Sequence, residues 1–278
     1  MDVGSGDGGD EAFAGYRRYR WHCYEERVRR LLPSAIRQPL FGLLGNLYPK
    51  LDWAPKPLRA KSTFEAIGRD TAGGFFHSVS VLYDGVRLPL YSDGFRRDLQ
   101  GYHARDVLDR TMRDAPTDDT LSRVQYADMK TYLAGDILTK VDRASMAHSL
   151  EVRVPVLDHK FVEWTAGVPP DQKLHGREGK HIFKKALEPH LDRDILYRDK
   201  MGFAVPLGAW FRGPLKQRVR TALCGPTLAG TGIFDMKRLE TLVDQHQSGR
   251  REHSAVLWAL LMFESFLRQS GADASPAA

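Results

Sequence analysis

The sequence is poor in cysteine and has no long apolar run. Cys23 and Cys224 are the only cysteines among 278 residues, so neither a disulfide framework nor a four-ligand zinc site built on cysteine can form. The longest apolar run, residues 255–263, is shorter than the ~20 residues that a membrane-spanning helix needs. The first residues, MDVG, carry neither the basic nor the apolar region of a secretory signal. We therefore predict a protein of the reducing cytoplasm.

The composition is otherwise that of an ordinary globular protein. Apolar residues make up 42% and charged residues 27%, which excludes a disordered or collagen-like chain. The net charge of +6 is concentrated in residues 16–30, where six arginines and four aromatic residues accompany two glutamates. Such a segment is either a packed helix face covered by arginines or a platform for single-stranded nucleic acid.

Most of the chain is predicted to be helical, because apolar residues recur at helical spacing. The clearest case is the last helix, in which Val256, Leu260, Phe263 and Leu267 form one stripe. We predict a proline-rich linker over residues 49–57, a loop over residues 86–94 and a disordered tail over residues 269–278. The predicted helices are residues 10–32, 34–47, 58–70, 75–83, 104–113, 120–133, 136–148 and 252–267.

Strand signals are few. Residues 150–156 alternate between apolar and charged side chains, and Pro155 limits them to an edge strand or an extended segment. The glycine-rich segment GSGDGGDE, residues 4–11, is a loop of the kind that normally follows a buried strand, yet only three residues precede it. We expect no strand there, so the loop resembles one cut from a larger sheet.

The glycine-rich loop is the first candidate site. Its G-x-G-x-x-G spacing is a weak match to a dinucleotide fingerprint, and Asp7 would repel a bare pyrophosphate. Glycines allow close approach to phosphate, and a following helix N-terminus favours an anion. Asp7 and Asp10 could then ligate Mg²⁺ that bridges to phosphate. The competing interpretation makes Asp10 a helix cap and Asp7 a turn residue.

Three further segments are candidates for a functional or a structural role. Asp136, Lys140 and Arg143 share a helical stripe, which is either a surface ion-pair ladder or part of a buried ion network. Lys180 lies at the edge of the apolar face of a helix in residues 176–189, where it could stabilise a phosphate or simply extend to solvent. Residues 199–211, DKMGFAVPLGAWF, have the composition of a structural loop.

These segments together resemble the synthetase domain of glutamine-dependent asparagine synthase. The resemblance covers the chain from Val3 to about Arg268. We therefore predict that residues 1–268 are the C-terminal portion of one synthetase domain. The resemblance rests on the opening SGDGGDEAFAGYRRY and on three later segments: LTKVDRASMAHSLEVRVPVLDH, GKHIFKKAL and MGFAVPLGAWF. It implies a mainly helical chain that is the C-terminal part of an α/β adenine-nucleotide fold of the PP-loop ATPase type, with the N-terminal half of the sheet missing.

The resemblance also implies a reaction. ATP, with Mg²⁺, would activate the side-chain carboxylate of aspartate, and ammonia from glutamine hydrolysis in another domain would attack it. Carried over to this sequence, Lys180 and Asp7 would be catalytic and Asp10 would ligate the metal. Ser5, Gly6 and Gly8 would bind the nucleotide or the substrate. Phosphate chemistry of this kind depends on positioning and charge stabilisation.

Two features of the family are missing from this sequence. The pyrophosphate loop Ser-Gly-Gly-x-Asp-Ser is absent, and Gly73-Gly74 lacks its flanking residues. The glutaminase cysteine beside the first methionine is also absent, since Asp2 follows Met1. We expect a fragment that is inactive or partial alone, whose glutaminase and pyrophosphate-loop segments are supplied in cis or in trans. A sheet severed in this way would leave the chain prone to associate, so a homo-oligomer is an option.

Two other functions stay open. The first is an amidotransferase of the same family that acts on another carboxylate, for example in exopolysaccharide assembly. The second is a basic helical module that binds nucleic acid through residues 16–30, with salt-dependent affinity. The family resemblance itself calls for neither a nucleic acid nor a membrane partner.

Overall fold

The computed structural model describes residues 2–48, 60–198 and 205–271. It is mainly helical, as the sequence predicts. The predicted linker at residues 49–57, the first part of the 199–211 loop and most of the predicted tail lie outside the described residues. The helices are α1 (Gly9–Ala12), α2 (Arg17–Leu31), α3 (Ser34–Leu47), α4 (Lys61–Gly68), α5 (Thr71–Val79), α6 (Asp84–Leu90), α7 (Asp93–Asp98), α8 (Arg105–Arg113), α9 (Thr120–Asp128), α10 (Thr139–Met146), α11 (His159–Gly167), α12 (Pro170–Lys173), α13 (His181–Leu187), α14 (Arg193–Leu196), α15 (Leu207–Arg212), α16 (Lys216–Leu223), α17 (Pro226–Gly230), α18 (Met236–Gln247) and α19 (Ser254–Gln269).

The described residues contain four short strands in two pairs. β1 (Asp2–Gly4) pairs in parallel with β2 (Glu151–Arg153), and β3 (Leu174–His175) pairs antiparallel with β4 (Glu178–Gly179). A π-helix, Met129–Leu138, joins α9 to α10, and a 3-10 turn, Pro155–Leu157, follows β2. No described helix is long and apolar enough to cross a bilayer.

The chain divides into two compact units. Unit 1 comprises residues 1–79 with 104–199, and unit 2 comprises residues 80–103 with 200–278. In unit 1, helices α2, α5, α8 and α9 pack on one another around a core centred on Tyr19, Phe75 and Val124, which are fully buried. In unit 2, helices α15, α16, α18 and α19 enclose a second apolar core.

The final helix follows its predicted stripe. Val256 and Leu260 are buried in the unit 2 core, and Phe263 and Leu267 pack against it half-buried. The helix runs two residues beyond the predicted end, a displacement that is ordinary for helix termini. Its burial against α15, α16 and α17 explains why a 3.6-residue period dominates this segment.

Several local predictions are wrong. Residues 86–94 contain most of α6 and the start of α7 instead of a loop, because the helices tolerate Pro89 near an end and Ser92 caps α7 by accepting from Phe95 N–H at 3.1 Å. The predicted helix 10–32 is broken between α1 and α2. No strand was expected before the glycine-rich loop, yet β1 precedes it because a parallel partner, β2, supplies its hydrogen bonds.

Of the two alternatives for the charged stripe of Asp136, Lys140 and Arg143, the buried ion network is wrong. Asp136, Lys140 and Arg143 are exposed on the π-helix and α10. Glu151 and Arg153 pair with each other at 2.9 Å while more than half exposed. All of these charges therefore lie at the surface, where an ion pair such as Glu151–Arg153 has small energetic weight.

A buried histidine gives unit 1 a predictable sensitivity to acid. His22 on α2 is 2% exposed, packs edge-on to Phe75 and has no hydrogen-bond partner on either ring nitrogen. Burial lowers its pKa to about 4. The unfolded chain therefore takes up this proton first, and stability falls as pH decreases from about 6.5 toward 4. Unfolding measured at pH 7.5 and 4.5 should show a loss of about 2–3 kcal/mol from this group.

The His22→Gln variant tests this assignment, because glutamine stays neutral across the range. The difference in unfolding free energy between wild type and this variant should change by that amount over the same pH interval. The His148→Gln variant removes an exposed histidine and should leave the pH dependence unchanged. Parallel pH dependence for all three proteins would contradict a neutral buried His22.

Candidate functional site

The glycine-rich loop is anchored by the parallel strand pair. Val3 lies opposite Val152 in the register of β1 and β2, and Ser5 N–H donates to the Arg153 carbonyl at 2.8 Å. The chain then turns at once into the loop. The loop therefore begins at the carboxyl end of a strand, which is where ligands bind in open α/β sheets.

Within the loop, two predicted residues contact each other. The Ser5 hydroxyl donates to Asp7 Oδ2 at 2.5 Å, and Asp7 N–H approaches Ser5 Oγ at 3.3 Å. Gly8 has φ +81°, and a β-carbon there would overlap the Leu157 side chain. Gly6 is exposed, so its backbone is accessible from outside. Helix α1 has only four residues, so its N-terminus offers less for an anion than the sequence suggested.

Lys180 directly follows the β3–β4 hairpin, which places it beside the glycine-rich loop. Its own N–H donates to the Phe13 carbonyl at 2.7 Å, and Phe183 one turn later stacks on Phe13 with ring centroids 4.9 Å apart. A β-carbon at Gly179 would overlap the Ala14 carbonyl oxygen, so only glycine fits beside the loop. Lys180 has φ +59°, an uncommon conformation for a residue with a side chain. Such strain persists where surrounding contacts enforce it and is frequent at functional sites.

The central contact of the site joins Lys180 to Asp10. The Lys180 Nζ atom lies 3.3 Å from Asp10 Oδ1, and both side chains are partly accessible, at 30% and 23%. Gly15 closes the far side, since a β-carbon there would overlap Asp10 Oδ1 and Lys180 Cε. A cation and a carboxylate are therefore held side by side in a half-open position. The described contacts include none between this pair and Asp7.

A buried layer supports the loop from behind. Glu11 is 1% exposed and accepts from the Tyr16 hydroxyl at 2.9 Å. The Gln125 side chain donates to the Ala12 carbonyl at 3.1 Å and also to the Glu11 carbonyl. Burial raises the pKa of the Glu11 carboxyl and of the Tyr16 phenol. These hydrogen bonds fix the segment between α1 and α2, where the Phe13 carbonyl accepts from Lys180 N–H.

An ion pair that the sequence did not reveal lies beside this layer. Arg18 Nε and Nη2 donate to Asp128 Oδ2 at 3.0 and 2.8 Å. Asp128 is 2% exposed, and burial raises its pKa although the adjacent guanidinium opposes that rise. The guanidinium also covers the Tyr16 ring at 3.9 Å. Arg18 belongs to the basic segment at residues 16–30, and no local sequence pattern pairs it with a residue on α9.

Internal contacts account for much of the basic segment at residues 16–30. Tyr19 is buried in the core, and Arg29 donates to the carbonyls of Ala66 and Arg69. Two outward-facing arginines stack on their own helix, Arg17 over Trp21 and Arg27 over Tyr24. This arrangement favours the packed-face interpretation, since a stacking platform for bases needs open aromatic faces.

The residues at the loop fit a phosphate-bearing substrate with Mg²⁺. Magnesium is held in such sites by one or two carboxylates together with water and substrate phosphates, and Asp10 supplies one carboxylate beside a lysine. Within residues 2–48, 60–198 and 205–271, no group of three potential metal ligands forms a preassembled cage.

The sequence matches one known protein family over most of its length. The model of the asparagine synthase family matches residues 3–268. The chain belongs to the asparagine synthase family. Lys180, Asp10 and the glycine-rich loop all fall within the matched residues, and the predicted membership of this family is confirmed.

Curated proteins support the same family. The Mycobacterium tuberculosis protein named "Putative asparagine synthetase (glutamine-hydrolyzing)" is 32% identical over 93% of this chain and 38% of its own length. Asparagine synthetase 1 of Bacillus subtilis is 26% identical over 93% of this chain and 39% of its own length. "Amidase chry2" of Gibberella zeae is 23% identical over 86% of this chain and 37% of its own length. The chain thus spans well under half of these relatives, and no solved structure matches it.

Proposed function

We propose that this asparagine synthase chain forms the C-terminal part of an ATP-dependent carbon–nitrogen ligase. ATP would activate the side-chain carboxylate of aspartate with release of pyrophosphate. Ammonia derived from glutamine would then attack the carbonyl carbon of the resulting aspartyl-adenylate and displace AMP to give asparagine. The family membership supports the reaction class, and the relatives named glutamine-hydrolysing asparagine synthetases support the amido donor. The cytoplasm remains the predicted location.

The observation that carries the proposal is the contact between Lys180 and Asp10. In our proposal Lys180 binds the α-phosphate and stabilises the negative charge that develops there, because a fixed ammonium is most effective where charge appears in the transition state. Asp10 holds Mg²⁺ on the pyrophosphate. Asp7 lies beside the reacting carboxylate, and Ser5 orients Asp7 through their hydrogen bond.

The remaining loop residues are proposed to bind through the backbone. Gly6 is exposed, so a nucleotide can approach its backbone closely, whereas Gly8 is buried against Leu157 and its positive φ shapes the turn that presents the loop. The adenine-nucleotide fold of the PP-loop type is part of this proposal, with β1 and β2 as its share of the sheet. The glutaminase and the pyrophosphate-loop segment, in cis or in trans, are its proposed partners.

A second acceptor carboxylate is a real alternative, because the relatives of this chain include proteins named amidases. Such an enzyme would keep the activating machinery and change the pocket that holds the acceptor. The same assay distinguishes the two, with aspartate and other carboxylates offered in turn and pyrophosphate release as the common signal.

The test uses the 278-residue chain alone and joined to an upstream segment of the relatives. Alone, the chain should bind ATP weakly and release no more aspartate-dependent pyrophosphate than its Lys180→Ala variant, because backbone N–H groups of a pyrophosphate loop provide the phosphate contacts in such sites. Joined to the segment, it should release pyrophosphate with aspartate or with another carboxylate. Aspartate-dependent release by the chain alone, above the variant, would contradict the expected need for that loop. No release with any carboxylate by the joined protein would contradict the proposed function.

A further inference from the structure

A cleft in unit 1 lies between α2, the start of α9 and the segment that runs from α12 to the β3–β4 turn. Its volume of about 300 Å³ is at the lower end of the range for small-molecule sites, ~300–1,000 Å³. Part of the lining is apolar, because Leu121 is 3% exposed in the core of the unit and Leu174 packs half-buried against that core. Residues 4–11 and Lys180 do not line it, so the cleft is separate from the glycine-rich loop.

Three arginines of α2 line this cleft and carry charge that no ion pair within the described part of the chain takes up. Arg20 donates to a backbone carbonyl of the β3–β4 turn at 3.0 Å, and Arg30 donates to the Thr120 hydroxyl at 2.7 Å. The Arg27 guanidinium lies over the Tyr24 ring at 5.6 Å. A guanidinium has several N–H donors, so all three arginines keep donors for an anionic group.

Carboxylates line the same cleft, and one of them is also unpaired within the described residues. Glu26 forms an ion pair with Arg29 at 2.6 Å, and Asp119 caps α9 by accepting from Ser122 N–H at 2.8 Å. Asp171, in the first turn of α12, is exposed and makes no such contact. A simple anion would meet these carboxylates as well as the arginines, whereas a zwitterion matches both signs of charge.

We propose that the cleft binds a free α-amino acid with an uncharged, apolar side chain. The carboxylate of the amino acid accepts hydrogen bonds from Arg27 and from the neighbouring arginines on α2, since bonds between a guanidinium and a carboxylate are charge-assisted. The ammonium lies at Asp171, on the α12 side of the cleft. The side chain packs on Leu121 and Leu174, which removes apolar surface of ligand and protein from water.

Arg20 joins this cleft to the candidate site. The carbonyl that it holds belongs to the turn between β3 and β4, and Lys180 directly follows that hairpin. Gly176 in the same turn also lines the cleft. An amino acid held by Arg20 therefore stabilises the turn that places Lys180, which couples the two sites. The effect on turnover rests on the proposed function, whereas binding does not: a joined protein that binds the amino acid and releases no pyrophosphate contradicts only the proposed function.

Equilibrium binding to the 278-residue chain tests the proposal, with L-phenylalanine and L-leucine as probes. Two analogues of phenylalanine separate its charges: 3-phenylpropionate lacks the ammonium and 2-phenylethylamine lacks the carboxylate. Each analogue should bind at least about tenfold more weakly than phenylalanine, because each leaves one charged group of the cleft without a partner. Absence of binding by both amino acids would overturn the proposal. So would 3-phenylpropionate that binds as tightly as phenylalanine, since the cleft would then be a site for simple anions.

Variants assign the two charges of the ligand to residues of the cleft. Arg27→Gln should weaken phenylalanine binding about tenfold and leave 2-phenylethylamine binding unchanged. Asp171→Asn should weaken phenylalanine binding similarly and leave 3-phenylpropionate binding unchanged. The control Arg110→Gln removes an exposed arginine of α8, and it should bind phenylalanine as wild type does, as should Lys180→Ala. Loss of binding in Lys180→Ala, or unchanged binding in both cleft variants, would place the ligand elsewhere and overturn the proposal.

Cys23 reports directly on occupancy of the cleft, because its side chain is part of the lining. Burial raises the pKa of its thiol to about 11, so alkylation at pH 9 is slow enough to follow. In a Cys224→Ala background, phenylalanine at about ten times its dissociation constant should slow the reaction of Cys23 with iodoacetamide about tenfold, since only the unoccupied fraction reacts. Unchanged alkylation while phenylalanine is bound would mean that the amino acid binds outside the cleft, which overturns the proposal.

Discussion

Alanine in place of Lys180 is expected to lower the turnover of the complete synthetase by about a hundredfold or more, equivalent to about 3 kcal/mol in the activation barrier. The ammonium lies 3.3 Å from Asp10 Oδ1, and its backbone is held in a left-handed conformation by the Phe13 carbonyl. The charge is therefore positioned before substrate binds. The measurement is aspartate-dependent pyrophosphate release by the joined protein, with glutaminase activity assayed in parallel and expected to survive.

Lys184 provides the matched control one turn along α13. Its ammonium forms an ion pair with Glu178 at 3.1 Å and lies 5.0 Å from the Tyr197 ring, so its charge is already paired within unit 1. Lys184→Ala should cost far less turnover than Lys180→Ala. Lys180→Arg should restore only part of the activity, because a planar guanidinium differs from a compact ammonium in a confined phosphate site. Equally mild effects at Lys180 and Lys184 would show that Lys180 is a surface lysine.

The helices were predictable where packing imposes a period on the sequence. The bounds of α3 agree with the predicted residues 34–47, and the stripe of α19 lies against its core as expected. The break between α1 and α2 was not predictable, because it depends on Gln125 and on Lys180 N–H, which are remote in sequence. Periodicity describes one element at a time and contains no information on such partners.

The candidate site shows the same limit. The glycine-rich loop and Lys180 could be chosen from local composition and family resemblance, but their contact could not. It requires the β3–β4 hairpin to place Gly179 against the Ala14 carbonyl, a fit that depends on the absence of a side chain. The apolar spacing of Ile36, Leu40, Leu43 and Leu47 predicts a buried face, yet these side chains are exposed because α3 packs against α4 by a different face.

Removal of the Arg18 side chain is expected to destabilise unit 1 by about 3–5 kcal/mol, because it leaves the Asp128 carboxylate buried without its partner. Asp128 is 2% exposed and accepts two hydrogen bonds from the guanidinium. Chemical denaturation of Arg18→Ala measures the loss. The control Arg153→Ala removes an arginine paired at 2.9 Å with Glu151 on the surface and should cost less than about 1 kcal/mol.

The pH dependence of the Arg18→Ala variant identifies the cause of the loss. Burial already raises the pKa of Asp128 in the wild type, and loss of the cation should raise that pKa further. A carboxyl whose folded pKa exceeds its unfolded pKa contributes stability at low pH and loses it as pH rises. The deficit of Arg18→Ala should therefore be smaller at pH 5 than at pH 8. Arg18→Met combined with Asp128→Leu should recover most of the stability, since it removes both charges. A deficit that is independent of pH and persists in the double variant would mean that Arg18 acts through its packing on Tyr16 and not through the ion pair.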